Sequence, residues 1–291
     1  MSGIVAAQVK SPAPQAAATF DAARAWAHLT KQVSFGPRPS GSAALNTCRQ
    51  YIVSELRKIG IEPRQQMFIP QTPLGEISMV NIIGTIPGRR PERIILASHY
   101  DTKRAPDFRF VGASDGASST AALLELGRLL KTRQNEFTIE LLFLDGEEAV
   151  NWEWQDPDNR YGSRYYVQAA RQANTLTSLK AMILMDMIGH KNLTIERDAM
   201  STPWLVDIIW AAAARLGHRN VFTSTIGAFE DDHGPFIGAG VPAVDIIDLN
   251  SYAPYWHTAK DDLERVSEKS LKIVGDVVLA SLPEIEKRVA R

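Results

Sequence analysis

The chain contains a single cysteine, Cys48, so no disulfide can close within it. No run of about 18 apolar residues occurs, which excludes a transmembrane helix. Charge of one sign is not in excess either: Lys and Arg number 32, Asp and Glu 33, for a formal net charge of -1. Such a balance argues against nucleic acid or an anionic membrane surface as the main partner. Internal repeats, long linkers and low-complexity blocks are missing beyond the N-terminus. With 291 residues, 45% of them hydrophobic, the chain can fill a sizeable core, and one domain over residues 20–291 is the expected count. Cys48 lies in a segment with helical apolar spacing and reads as a buried small hydrophobe.

Residues 1–19 are rich in Ala, Pro, Ser and Gln and read as a disordered leader or the remnant of an export signal. The basic and long apolar parts of a signal peptide are not there. If an export signal preceded residue 1, the protein is periplasmic or secreted; otherwise it is cytoplasmic. The sequence leaves both open.

Apolar residues recur at helical spacing over 20–33 and 42–59, on either side of the turn-rich Gly36-Pro37-Arg38-Pro39-Ser40-Gly41. Runs rich in β-branched residues follow at 77–86, 93–98, 138–144, 181–186 and 243–247, and these predict strands. Helical patterns fall between them at 118–132, 161–171 and 203–216, with a last helix over about 267–289. Strands alternating with helices predict a single-domain three-layer α/β/α sandwich around a mixed, largely parallel sheet.

Polar residues gather where these strands end. Ser98-His99-Tyr100-Asp101 closes one apolar run, Asp145-Gly146-Glu147-Glu148 the next, and Asp186 the third. In open α/β sheets the ligand crevice lies beyond the carboxyl ends of the strands. A lone Glu-Glu pair is usually a solvated loop, Asp115 alone is usually a helix cap, and a lone loop histidine such as His257 is seldom a ligand. Together, Asp115, Glu148 and His257 bring two carboxylates and one imidazole from three loops. That donor set matches a catalytic zinc that keeps its fourth position open. Glu147, next to Glu148 but pointing elsewhere, is then the candidate acid/base. Asp261-Asp262 reads as helix-entry chemistry, and His28, His190 and His218 lack partners at metal spacing.

The order of His99-Tyr100-Asp101, Gly-Ala-Ser-Asp115, Asp-Gly-Glu147-Glu148, Asp186 and His257 resembles the zinc-dependent aminopeptidase superfamily. Within it, the chain is most similar to the metallopeptidase-type glutaminyl cyclases, from about Phe20 to the C-terminus. Five features carry that branch: Lys103 after His99-Tyr100-Asp101-Thr102, Trp152 shortly after Glu148, Tyr161-Gly162-Ser163-Arg164, Phe229-Glu230-Asp231-Asp232-His233, and Trp256-His257.

The resemblance implies conversion of N-terminal glutamine of peptides or proteins to pyroglutamate with release of ammonia, one Zn2+ per chain, and a monomer. It implies that Glu147 is the acid/base, that Asp186 and Asp231 join its hydrogen-bond network, and that Trp152 and Trp256 line the glutamine pocket. The alternative is a two-zinc aminopeptidase, in which positions matching His99 and Asp186 hold a second zinc, Asp115 bridges the pair, and Glu147 activates water. One departure stands out. Where animal cyclases of this type carry a disulfide, this chain has Ser98 and Thr120.

Overall fold

In the computed structural model, which describes residues 19–291, helices α1 (Ala22–Ser34) and α2 (Ala43–Lys58) precede strand β1 (Arg64–Phe68). A small hairpin of β2 (Gln71–Thr72) and β3 (Gly75–Glu76) leads into β4 (Met79–Ile86) and β5 (Arg90–His99). Helix α3 (Ala117–Thr132) connects to β6 (Phe137–Leu144), and α4 (Tyr161–Gln172) to β7 (Leu179–Asp186). Then come β8 (Ile195–Asp198), α5 (Pro203–Arg215), β9 (Phe222–Gly227), α6 (His233–Gly238), β10 (Ala243–Ile247) and α7 (Glu268–Val289). The leader expected over 1–19 lies outside the described residues apart from its last residue.

Six strands form one sheet in the order β1-β4-β6-β5-β7-β10. The four from β6 to β10 run parallel, whereas β4 pairs antiparallel with β6 and β1 antiparallel with β4. Register aligns the strand ends: His99 lies opposite Leu144, and Ile247 opposite Asp186. The loops that follow β5, β6, β7 and β10 therefore leave from one edge.

Side chains alternate between two cores, as the period of a strand requires. Ile94, Leu96, Ile139, Leu141, Ile183 and Met185 face the core shared with α1, α2, α3, α5 and α7. Ile95, Ala97, Leu142, Leu144, Met182 and Leu184 face the smaller core under α4 and α6. Burial on both faces explains the near-continuous apolar runs, and each fully buried aliphatic side chain contributes roughly 1.5–3 kcal/mol. The three-layer α/β/α sandwich expected from the alternation is the observed fold.

Helix starts follow their caps. Asp21, Ser42 and Ser267 each accept a backbone N–H of the first turn of α1, α2 and α7. Cys48 is fully buried on α2, as its spacing implied. Strand β1, the β2–β3 hairpin, β8, β9 and the six-residue α6 were not anticipated. Strand β1 is largely exposed and polar, so no apolar alternation marks it; pairing with β4 creates it.

Candidate active site

The loops leaving the carboxyl edge enclose a cavity of about 260 Å³ whose wall includes Asp115, Glu147, Glu148, Asp186, Asp231 and His257. The loop bearing Asp115 turns through two left-handed glycines, Gly112 (φ +53) and Gly116 (φ +86). A Cβ on Gly116 would stand 2.6 Å from the Asp101 carbonyl oxygen, and one on Gly112 2.2 Å from that of Asp115. Only glycine allows so close an approach. Asp261 fixes the same turn, accepting the Ser114 and Asp115 N–H groups at 2.7 and 3.1 Å and the Tyr252 hydroxyl at 2.6 Å. This corrects the helix-entry reading of Asp261: α7 is capped by Ser267, and Asp261 instead buttresses Asp115.

Glu147 and Glu148 follow Gly146 (φ +74) at the end of β6, and Asp101 accepts both of their backbone N–H groups at 3.3 Å. Two left-handed non-glycine residues, His257 and Met187, each with φ of 50, line the cavity. Strain of this kind concentrates at functional sites.

His257 Nε2 lies 3.1 Å from Glu148 Oε1 and 3.4 Å from Asp115 Oδ2. A tetrahedral zinc with arms of about 2.0–2.2 Å has ligand-to-ligand edges of about 3.4 Å, so the three side chains already stand near the spacing such an ion imposes. Asp115 Oδ2 and Glu148 Oε2 are buried and lack hydrogen-bond partners among the described residues. Glu148 Oε2 stands 3.8 Å from Lys103 Nζ, whereas Glu148 Oε1 and Asp115 Oδ2 face the His257 imidazole, a donor set that a cation fits. Although burial opposes it, the Glu148 and Asp115 carboxylates push His257 up to about 10, the mark of a position that favours positive charge.

A second set shares Asp115: His99 Nε2 approaches Asp186 Oδ1 at 2.9 Å and Asp115 Oδ1 at 3.2 Å. Here the imidazole and the Asp186 carboxylate satisfy each other by a hydrogen bond. The Asp115 carboxylate is common to both sets, with Oδ1 toward His99 and Oδ2 toward His257.

Burial pushes the Glu147 carboxyl well above the ordinary carboxylate range; His99 pulls it down, while Glu148, Asp231 and Asp232 add to the rise. Asp186 is raised by burial against the pull of His99, and Asp231 reaches about 7 through burial and the neighbouring Asp186. Carboxyls crowded out of water cannot all ionise, so this corner stores protons near neutrality. Asp245 on β10, which sequence reading passed over as an ordinary strand residue, lies fully buried in the same cluster. Burial, then Asp231 and Asp186, holds its carboxyl well above the usual range.

The aromatic walls differ from expectation in one respect. Trp256 lines the cavity and stacks on His257 with centroids 4.2 Å apart, but Trp154, not Trp152, forms the wall on the β6–α4 side. Trp152 is half exposed, edge-on to His257 at 6.0 Å and to Phe108 at 6.1 Å. The two tryptophans are two residues apart in a loop without regular structure, so no periodicity marks which turns inward. His190, set aside earlier, bonds Asp248 and Ser251 at 3.2 and 3.1 Å and ties down the loop that carries Trp256. Ser98 and Thr120 share a buried hydroxyl hydrogen bond of 3.0 Å, joining the two segments that a disulfide would join.

Residues 81–282 match the profile of Peptidase family M28. The glutaminyl-peptide cyclotransferase of Bos taurus is 29% identical over 277 residues, covering 83% of this chain and 76% of that protein. The crystal structure of an Acidobacteriales bacterium glutaminyl cyclase superposes with a TM-score of 0.89 at 38% identity, covering 97% of this chain and 100% of that one. A Zn-dependent exopeptidase from Parabacteroides distasonis does so with a TM-score of 0.81 at 30% identity, over 91% and 98%. The family and the donor set together support a metal cofactor.

Proposed function

The chain belongs to Peptidase family M28, and from that membership we propose that it is a glutaminyl-peptide cyclotransferase, converting N-terminal glutamine of peptides or proteins to pyroglutamate with release of ammonia. The observation that carries the reading is the meeting of the Asp115 and Glu148 carboxylates at His257, with a buried Glu147 in the same cavity. The likeness to glutaminyl cyclases at 38% and 29% identity favours this reaction over peptide hydrolysis.

One zinc per chain is held by Asp115, Glu148 and His257. When bound, it supplies Lewis acidity to the γ-carbonyl oxygen of the glutamine. The reaction is intramolecular, so much of its entropic barrier is absent once the side chain is folded toward the amine. Glu147 takes the proton from the substrate amine and returns it to the departing nitrogen. Burial raises its carboxyl above the ordinary carboxylate range, which favours its holding the proton between the two steps. Asp186 and Asp231 keep the proton inventory of this corner, with Asp186 hydrogen-bonded to His99. Trp256 and Trp154 wall the cavity, and Trp152 stands half exposed beside His257.

The alternative, a two-zinc aminopeptidase, draws on the second set of His99, Asp115 and Asp186. An imidazole–carboxylate hydrogen bond stands in each set, His99–Asp186 at 2.9 Å and His257–Glu148 at 3.1 Å, and it is the likeness to glutaminyl cyclases that favours the one-zinc reading. Offering the protein a peptide that begins with Gln and, in parallel, a chromogenic aminoacyl substrate separates them. Ammonia release with loss of the primary amine is expected; cleavage of the aminoacyl substrate with the Gln peptide untouched would reverse the conclusion.

A further inference from the structure

The segment joining β6 to α4 carries both Trp152 and Trp154 and has no helix or strand of its own. Main chain closes its base: the Arg160 N–H donates to Glu147 O at 2.8 Å, and the Tyr161 N–H to Gly146 O at 2.7 Å. Two side chains hold what lies above. Lys103, fully buried, donates from Nζ to Ala149 O at 2.9 Å and stands 3.8 Å from Glu148 Oε2. Asp158 accepts the Val150 N–H at 3.1 Å, the Asn151 N–H at 2.8 Å and the Tyr161 hydroxyl at 2.6 Å.

Consecutive backbone N–H groups facing one carboxylate form an anion-holding concavity, and here its occupant comes from the chain itself. The Asp158 N–H in turn donates to Gln155 O at 2.8 Å. The far side of the loop is thereby drawn onto residues 150 and 151, leaving the tryptophan-bearing stretch as a short tip. Asp158 is 8% exposed and off the cavity wall, so it reaches neither substrate nor metal.

We propose that Asp158 is a positioning residue for substrate recognition: it folds the β6–α4 loop so that Trp154 stands on the cavity wall and Trp152 against the outer edge of His257. This rests on the reading that the cavity receives an N-terminal glutamine. The two pins divide the loop. Lys103 and Asp101 secure the end that bears Glu147 and Glu148, whereas Asp158 secures the aromatic tip. Loosening Asp158 frees the walls but leaves the metal ligand and the acid/base in place.

The test compares the wild-type enzyme with D158N and D158A in three measurements: steady-state cyclisation of a Gln-peptide, zinc content, and amide hydrogen exchange over residues 150–155. For D158A, KM rises about tenfold or more while kcat stays within about threefold and zinc is retained. D158N, which keeps one acceptor oxygen, shows a smaller rise. The Val150 and Asn151 amides exchange faster in both. An unchanged KM in folded D158A, or a fall in kcat with loss of zinc at constant KM, overturns the proposal. If D158A does not fold, D158N decides by the same criteria. A wild-type enzyme inert toward the peptide would instead sink the reading of the reaction, and the exchange arm, with unaltered Val150 and Asn151 amides as the negative result, would still judge the loop.

Discussion

Glu147 faces the cavity from a position that makes no bond to the metal triad, and its two neighbours in sequence and space, Glu148 and His99, belong to different ion sets. Replacing its carboxyl by an amide removes proton transfer and little else. Glu147→Gln is therefore expected to lose about 10²–10⁴ in kcat with bound zinc unchanged, by metal analysis and single-turnover kinetics. Asp261 works at one remove, through the backbone of Asp115. Its truncation in Asp261→Ala leaves two buried N–H groups unpaired, and metal affinity measured by competition with a chromophoric chelator falls about 10–100-fold. Asp115, Glu148 and His257 were legible as candidates because each sits in a short motif with a chemical reason for its company. Asp261 and Trp154 were not, since what matters for them is a through-space partner: Asp261 lies near a helix start and passed for a cap, and Trp154 differs from Trp152 only in the way an irregular loop turns.

Among the elements, α7 shows how packing overrides propensity. Gly275 lies in its middle, where Ala is ordinarily better by roughly 1 kcal/mol. A Cβ there would stand 2.2 Å from Cδ2 of Phe20, whose buried ring seals the start of α1 onto α7. Gly275→Ala therefore destabilises, by about 1–3 kcal/mol in denaturant unfolding, and a stabilised variant would show that the ring has room to yield. The central strands could be read from the sequence because both faces are buried, which writes continuous apolar runs at β4, β6 and β7. Strands β1, β8 and β9 owe their pairing to neighbours rather than to pattern, and α6, with two glycines and a proline in six residues, is too short to show a period. Where the site-bearing loops begin was readable, because strand ends are; how they fold was not.

At the scale of the molecule, the protein concentrates buried acids on one sheet edge, and this makes its stability depend on pH and metal. Burial raises Asp145, Asp231, Asp232 and Asp261 to about 7 each, against roughly 3.9 in the unfolded chain. Between those values the folded state holds more protons than the unfolded state, so stability is lost as pH rises through the window. His99 and His257, raised by their carboxylate neighbours against the pull of burial, carry the same sign to higher pH, whereas the lowered Asp115 and Asp198 act with the opposite sign only below about pH 4. The metal-free chain is accordingly expected to melt on the order of 5 °C lower at pH 8 than at pH 5, by calorimetry after chelation. Zinc binds more tightly as its ligands shed protons, so loading the ion narrows or reverses that difference. A chelated protein that gains stability steadily up to pH 8 would contradict this picture of the acid cluster.

Zinc-dependent cyclisation at a single centre is the reaction proposed for this protein. The direct measurement is ammonia release from a Gln-peptide by protein stripped with a chelator and then titrated with zinc. No release is expected from the stripped enzyme, and recovery is expected to rise linearly to a plateau at one zinc per chain. Cyclisation that survives complete removal of metal, or a plateau only at two zinc ions per chain, would contradict it.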